Sequence, residues 1–333
     1  MSAAAHPAPR VIWMHCGDRQ LHRATLTEIP PSRTLDPEMV TRRLRPSGWT
    51  SQHLRHIAGV FRQGRNPAAR VYESIGPCSF LAPAPGWLNL GLWEGTGSEE
   101  EAETACRRLV QTVAAALPEA GVILDIGNGL GTQDPVIAEV LRPRGLIAVN
   151  ITEWQLSAGR DRLREAAALG VAGDATRLPI ADQSIDGVIS VEAAFHFRSR
   201  RTFFDECFRV LKPGGVLSIS DITTERLPLG PLEVLAGITQ MRAFGLRPAA
   251  AMTADQIAGA AHAAGFTAVD VTVCGDLVIA PALQLIGHRL RAMPAAPAAP
   301  AGQRTAARLL LSQVELLWRR QIIQYILLRA SRP

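Results

Sequence analysis

Lysine is almost missing from this 333-residue chain: Lys212 stands alone among 35 basic residues, and the rest are arginine. A basic stretch here therefore reads first as a compositional preference for arginine, and only second as a nucleic-acid surface. Also missing is any run of about 18 apolar residues, which excludes an obvious membrane-spanning helix. The N-terminus lacks the charged-then-apolar layout of a secretory signal, so the expectation is a cytoplasmic protein. Five cysteines (Cys16, Cys78, Cys106, Cys207, Cys274) are odd in number and show no zinc-ligand spacing. Reduced thiols are the economical reading. His53, His56, His262 and His288 are scattered without ligand spacing, and no metal is expected.

What is present points to a packed α/β protein. Hydrophobic residues make up 47% of the chain and the formal charge is +5. Seven arginines and no acid lie between Glu38 and Glu73. Residues 1–70 read as an N-terminal extension, loose at first and then an Arg-rich helical cap, ahead of a main domain over 71–333. Apolar residues at helical spacing (Ala102, Cys106, Leu109, Val110, Val113) predict a helix over 99–117, opened by three acids that suit its N-terminus. Strand candidates at 122–126, 145–150, 170–173, 186–191, 215–221, 267–273 and 321–330 alternate with helices near 133–141, 153–167, 199–211 and 253–264. Repeated βα units predict a parallel sheet with helices on both faces. Segments 222–252 and 276–320 interrupt the alternation and are where a lid belongs. The second contains a Pro/Ala-rich linker that cannot be helical throughout. In the first, Leu235, Ile238, Met241 and Phe244 sit at helical spacing, and core packing is their default reading.

The most informative stretch is Val122-Ile-Leu-Asp125-Ile-Gly127-Asn128-Gly129-Leu-Gly131-Thr132-Gln133. A buried strand runs into glycines at every second position, which permits positive φ and lets a ligand lie against the main chain. The dinucleotide fingerprint needs a third glycine where Thr132 stands. The pattern Asp-x-Gly-x-Gly-x-Gly instead resembles the first motif of class I S-adenosyl-L-methionine (SAM) methyltransferases, and the resemblance spans residues 72–330 in order. It implies a Rossmann-like, seven-stranded, mostly parallel sheet with an antiparallel last strand, helices on both faces and a helical lid. It also implies SAM as cofactor.

Residue by residue, the resemblance carries Asp125 as the acid that holds the loop and reaches the methionine ammonium through it. Gly127, Asn128, Gly129 and Gly131 form the loop itself. Asn150 stands at the end of the second strand, where an acid usually grips the ribose. The run Asn150-Ile151-Thr-Glu-Trp-Gln155 is similar to the sterol/tocopherol and cyclopropane-synthase branches, which carries over Ile151 and Gln155. Gly173-Asp174-Ala175 resembles the adenine-binding turn; an Asp bonded to its own turn is the plainer alternative. Upstream, Tyr72-Glu-Ser-Ile-Gly and Leu88-Asn-Leu-Gly-Leu-Trp93 resemble the family's first contacts, with Tyr72 over the sulfonium and Trp93 either wall or core.

After the fourth strand come Glu192-Ala-Ala-Phe-His196-Phe and then Arg-Val-Leu-Lys212-Pro-Gly-Gly215, closely resembling small-molecule methyltransferases of specialised metabolism. Glu192 is carried over to the cofactor site. His196 lies where the transferred methyl should be, and an imidazole is a suitable base for an acceptor hydroxyl. Asp221 ends the next strand on the same rim and completes a His/Asp dyad of the kind some members use.

The expected function is methyl transfer from SAM to oxygen, ahead of nitrogen or carbon, of a largely apolar natural-product-like small molecule. A cyclase or a biosynthetic scaffold on the same fold is the alternative. Nucleic-acid methylation ranks behind both, because Glu192-Ala-Ala-Phe replaces the Asn/Asp-Pro-Pro-aromatic signature of base-amine enzymes. The acceptor and the oligomeric state, a homodimer included, stay open at this stage.

Overall fold

The computed structural model describes residues 82–292 and 301–333. The expected extension over 1–70, its Arg-rich cap, Tyr72 and the Pro/Ala linker at 293–300 lie outside the described residues. The first helix, α1 (Ala102–Ala114), buries Cys106, Leu109, Val110 and Val113, the face that its apolar spacing predicts.

Seven strands then form one sheet: β1 (Val122–Ile126), β2 (Gly145–Asn150), β3 (Ala168–Ala172), β4 (Ile185–Val191), β5 (Leu211–Thr224), β6 (Thr267–Val273) and β7 (Ile323–Ser331). Their order is β3-β2-β1-β4-β5-β7-β6. Neighbours from β3 to β5 are parallel, and β7 runs antiparallel to both β5 and β6. This is the expected sheet, antiparallel last strand included.

Helices α2 (Asp134–Leu141), α3 (Glu153–Ala158), α4 (Arg160–Glu165), α5 (Arg200–Val210) and α7 (Ala254–Ala263) link the strands, and α6 (Pro231–Ala243), α8 (Gly275–Ala292) and α9 (Ala301–Arg319) occupy the two lid segments. Alternate β1 side chains feed two cores. Ile123 packs with the α1 and α2 residues Leu109, Ile137 and Leu141, while Leu124 and Ile126 pack with Phe203, Phe204 and Val210 of α5. Each such buried side chain contributes roughly 1.5–3 kcal/mol, so the sheet is anchored from both faces.

Local chemistry sets the helix boundaries. Thr253 and Gln256 form a reciprocal capping box that starts α7, and the Ser199 side chain accepts from Thr202 N to start α5. The single helix expected over 153–167 is broken into α3 and α4 at Gly159. A Cβ there would lie 2.5 Å from the Leu130 carbonyl oxygen, so the break is where the glycine loop presses against the helix. The lid differs from expectation as well. Leu235 is 57% exposed and Ile238 48%, while α6 buries the smaller Ala236 and Ala243 together with Gln240. Gln240 is held by α9: its side-chain amide donates to Leu310 O and Gln313 Oε1. Core packing of Leu235 and Ile238 is therefore corrected: α6 contacts α9 through small and polar residues and turns Leu232, Val234, Leu235 and Ile238 outward, while Met241 is half-buried. Among the described residues no helix is long and apolar enough to cross a membrane.

Candidate active site

The strand ends of β1, β2 and β4 open into one cavity, the position at which ligands bind in open α/β sheets. Its floor is the glycine loop. Gly127, Gly129 and Gly131 have φ of 84°, 58° and 74°, a region that glycine enters without strain. A Cβ on Gly127 would meet Ala193 Cβ at 2.4 Å, and one on Gly129 would meet Leu88 Cδ1 at 2.9 Å. The main chain is thus bare on the side that faces the cavity. Gly127, Asn128 and Gly129 line it; Gly131 does not, its amide closing the turn onto Asn128 O at 3.0 Å.

Asp125 is sealed behind the loop rather than in its wall. Gln133 Nε2 donates to both of its oxygens, at 2.8 and 2.7 Å, and the residue is wholly buried. Asp134, also buried, accepts from Asn128 Nδ2 at 3.0 Å. Burial raises the pKa of both acids; Asp134 raises that of Asp125 further, while hydrogen bonds from Asn128 and Asp125 favour the ionised Asp134, so the proton of the pair rests on Asp125. The expected reach of Asp125 toward a ligand runs through Gln133 and the loop.

Asn150 explains itself. Its side-chain amide donates toward Asn128 Oδ1, Gly129 O and Gln155 Oε1 at 3.1–3.3 Å, and its Oδ1 accepts from Thr152 N at 2.9 Å. A carboxylate at 150 would face three acceptors with no hydrogen to offer, so the amide suits this loop where an acid does not. Gln155 is buried and lines the cavity, as does the half-exposed Ile151. Asp174 and Ala175 line it too. Asp174 Oδ1 accepts from Thr176 N and Oγ1, at 2.8 and 2.7 Å, so the local Asp turn and the cavity wall are one structure.

Glu192 directly follows β4 inside the cavity, 8% exposed, with Oε1 accepting from Leu90 N and from Tyr325 Oη, each at 2.8 Å. Burial pushes its carboxyl up to about 7. His196 closes a single 3₁₀ turn (Ala194–His196) and lines the same cavity, its ring 4.2 Å from that of Phe195. Burial, aided by the Arg200 charge, pushes the imidazole down to about 3.

Asp221 departs from the expected dyad. It is wholly buried and outside the cavity wall; Oδ2 accepts from Arg200 Nε at 2.7 Å and Oδ1 from Ile222 N at 2.9 Å. Arg200 goes on to donate to Ile222 O at 2.8 Å and to Ala250 O, tying α5 to β5 and to the 3₁₀ turn Pro248–Ala250 of the lid. The charge expected to raise the basicity of His196 is engaged by an arginine that lowers it. Trp93 is core: 1% exposed, with its indole donating to Leu90 O at 2.8 Å.

Sequence reasoning passed over Trp87, Leu88, Gln133, Phe197, Arg198 and Arg247, which also line the cavity. Trp87 adjoins and Leu88 opens one quoted motif, Gln133 and Phe197 end two others, and no spacing flags the last two. Among the described residues no group of acids, histidines and cysteines is placed to hold a metal.

Comparison with known proteins agrees with this geometry. Residues 124–219 match the family described as Methyltransferase domain. The erythromycin 3''-O-methyltransferase of Saccharopolyspora erythraea is 35% identical over 142 residues, 41% of this chain and 46% of that protein. An O-methyltransferase of Penicillium expansum is 29% identical over 56% of this chain and 67% of its own length. The chain thus spans about half to two thirds of these two relatives. Among solved structures, the cyclopropane synthase MmaA2 of Mycobacterium tuberculosis superposes with a TM-score of 0.62 at 16% identity, covering 82% of this chain and 94% of that one. The [4+2]-cyclase SpnF superposes at 0.58 and 19% identity, covering 85% and 96%. Residues 124–219 match a methyltransferase domain, in a chain with the fold shared by S-adenosyl-L-methionine-dependent methyltransferases.

Proposed function

We propose that the chain transfers a methyl group from S-adenosyl-L-methionine to a hydroxyl oxygen of a small, largely apolar, natural-product-like molecule. The observation that carries this reading is the continuity of one cavity, in which the bare glycine loop and the His196 imidazole share a wall. The reaction named for the bacterial and fungal relatives, O-methylation, supports it. When bound, the cofactor supplies a methyl group activated by a sulfonium centre. Gly127, Asn128, Gly129, Asn150, Ile151, Gln155, Asp174, Ala175 and Glu192 hold it, while Asp125 and Gly131 fix the loop from behind. Trp87, Leu88 and Phe197 give the cavity its apolar share, which supports an apolar acceptor.

His196 accepts the acceptor's hydroxyl proton as the oxygen–carbon bond forms. With its pKa depressed to about 3, the imidazole is neutral at every working pH and always ready to accept. Its weak basicity ties proton transfer to the displacement itself, so positioning makes the larger contribution. Asp221 acts at one remove by neutralising Arg200, so that the imidazolium formed is not left beside an uncompensated guanidinium.

The test is incubation with SAM and a panel of hydroxylated small molecules, reading S-adenosylhomocysteine and product mass together. Equimolar S-adenosylhomocysteine and methyl ether support the reading. Conversion of an acceptor without S-adenosylhomocysteine would instead favour the cyclase alternative, a reaction named for one neighbour of this fold.

A further inference from the structure

Glu192 is an acid in an unusual setting. It is a non-glycine residue at φ 49°, a strained backbone that costs on the order of 1–3 kcal/mol and is found preferentially at functional sites. The strain is held by its amide, which donates to Ser220 O at 3.1 Å and lies 3.2 Å from Ser220 Oγ. It aims a carboxyl, more than nine-tenths buried, along the wall of the cavity. The ionisable groups facing that carboxyl from the elements around it are Tyr325 of β7, Asp221 of β5, Cys106 of α1 and Cys274 just ahead of α8. All are neutral or negative; Arg200 is bonded to Asp221, and the cations that share the cavity wall with Glu192 are Arg198 and Arg247. The fold has placed an acid where burial opposes ionisation more than the Leu90 amide and the Tyr325 hydroxyl favour it.

Building on the cofactor reading above, we propose that Glu192 is the proton-linked counter-charge of the donor site, giving up its proton as the donor's positive charge enters the cavity. Binding and deprotonation are then one equilibrium, with the proton passing to solvent. Glu192 titrates at about 7 in the empty cavity, so about half a proton leaves per donor bound at neutral pH. Below that value donor affinity falls by about tenfold per pH unit, and above it affinity levels off. The demethylated product carries one positive charge fewer. It therefore draws less ionisation from Glu192, and the site discriminates donor from product more strongly as pH rises.

Calorimetric titration with SAM at pH 7 in two buffers of different ionisation heat, phosphate and Tris, reads the released proton directly. The expected result is a buffer-dependent heat equivalent to about half a proton for SAM, and less for S-adenosylhomocysteine. Glu192→Gln should bind SAM more weakly and release no proton. Tyr325→Phe removes a hydrogen bond that favours the ionised carboxyl, so release at pH 7 should rise toward one proton. Tight SAM binding with a buffer-independent heat overturns the inference, as does release that survives in Glu192→Gln. An absence of any SAM binding removes the cofactor reading itself, a distinct result.

Discussion

The two sides of the cavity are built differently. On the side of β1 and β2, glycines, amides and a buried acid pair fix the main chain, and each part supports its neighbours: Gln133 holds Asp125, Asn128 holds Asp134, Asn150 holds the loop. On the side of β4 and the lid, one guanidinium holds three separate segments, and α6 turns Leu232 (71% exposed) and Leu235 outward. The first side is specified redundantly and suits a ligand of fixed shape. The second depends on one fully buried charged joint, with the more exposed Arg226–Glu233 pair beside it, and leaves side chains at the surface, which suits an acceptor that differs from one enzyme to the next.

Breaking the joint should have the largest effect. Arg200→Met leaves Asp221 buried without its partner, and a loss of about 3–5 kcal/mol is expected in urea unfolding. A loss below about 1 kcal/mol would mean that the lid side is redundant after all. Next comes the loop. Gly129→Val puts a β-branched residue at φ 58° against Leu88, and SAM affinity by calorimetry should fall by at least ~100-fold, the equivalent of about 2.7 kcal/mol.

His196→Ala should lower kcat by ~10²-fold, toward the small end for a general base, with SAM affinity nearly unchanged. Wild-type kcat should show no acid limb near the ordinary histidine value of 6.5, because the imidazole is already neutral down to about 3. Any fall below pH 7 should appear in the KM for SAM, through Glu192. The sign for stability is opposite in the two groups. His196, with its lowered pKa, contributes stability that is lost as pH falls from about 6.5 toward 3; Glu192, raised, contributes stability that is lost as pH rises through about 7. An acid limb in kcat centred near 6.5 would sink the assignment of a depressed imidazole. The smallest change is Leu235→Ser, expected within about 0.5 kcal/mol of wild type in unfolding because its side chain is already in water.

The same division decides what could be read from the sequence. Strands β1 and β2 stand where hydrophobic runs and glycines placed them, because buried parallel strands leave a continuous apolar signature; β6 also keeps its expected bounds, as an exposed antiparallel edge. The loop was legible from its glycine spacing alone, and nine of the expected cofactor residues line the cavity. What escaped depends on reach in three dimensions. The break at Gly159 exists because Leu130 O arrives from elsewhere in the chain. Asp221 was expected on the rim, but β5 runs on to Thr224 and leaves it buried outside the cavity wall, its partner being Arg200, 21 residues earlier and one of many arginines. Leu235 and Ile238 have the spacing of a buried stripe, and no periodicity reveals that α9 packs α6 through Ala236 and Gln240 instead.

Strand β7 is the last element of the described chain, yet it lies inside the sheet, with nine residues paired to β5 on one side and β6 on the other. Until it is synthesised, β5 presents an open edge and β6 has no neighbour at all. Its Tyr325 also supplies a hydrogen bond to the cavity acid, so the pocket is finished by the same residues that close the sheet. A chain cut before Ile323 would have neither a sealed sheet nor a completed acid, so the integrity of the sheet and of the pocket depend on one strand.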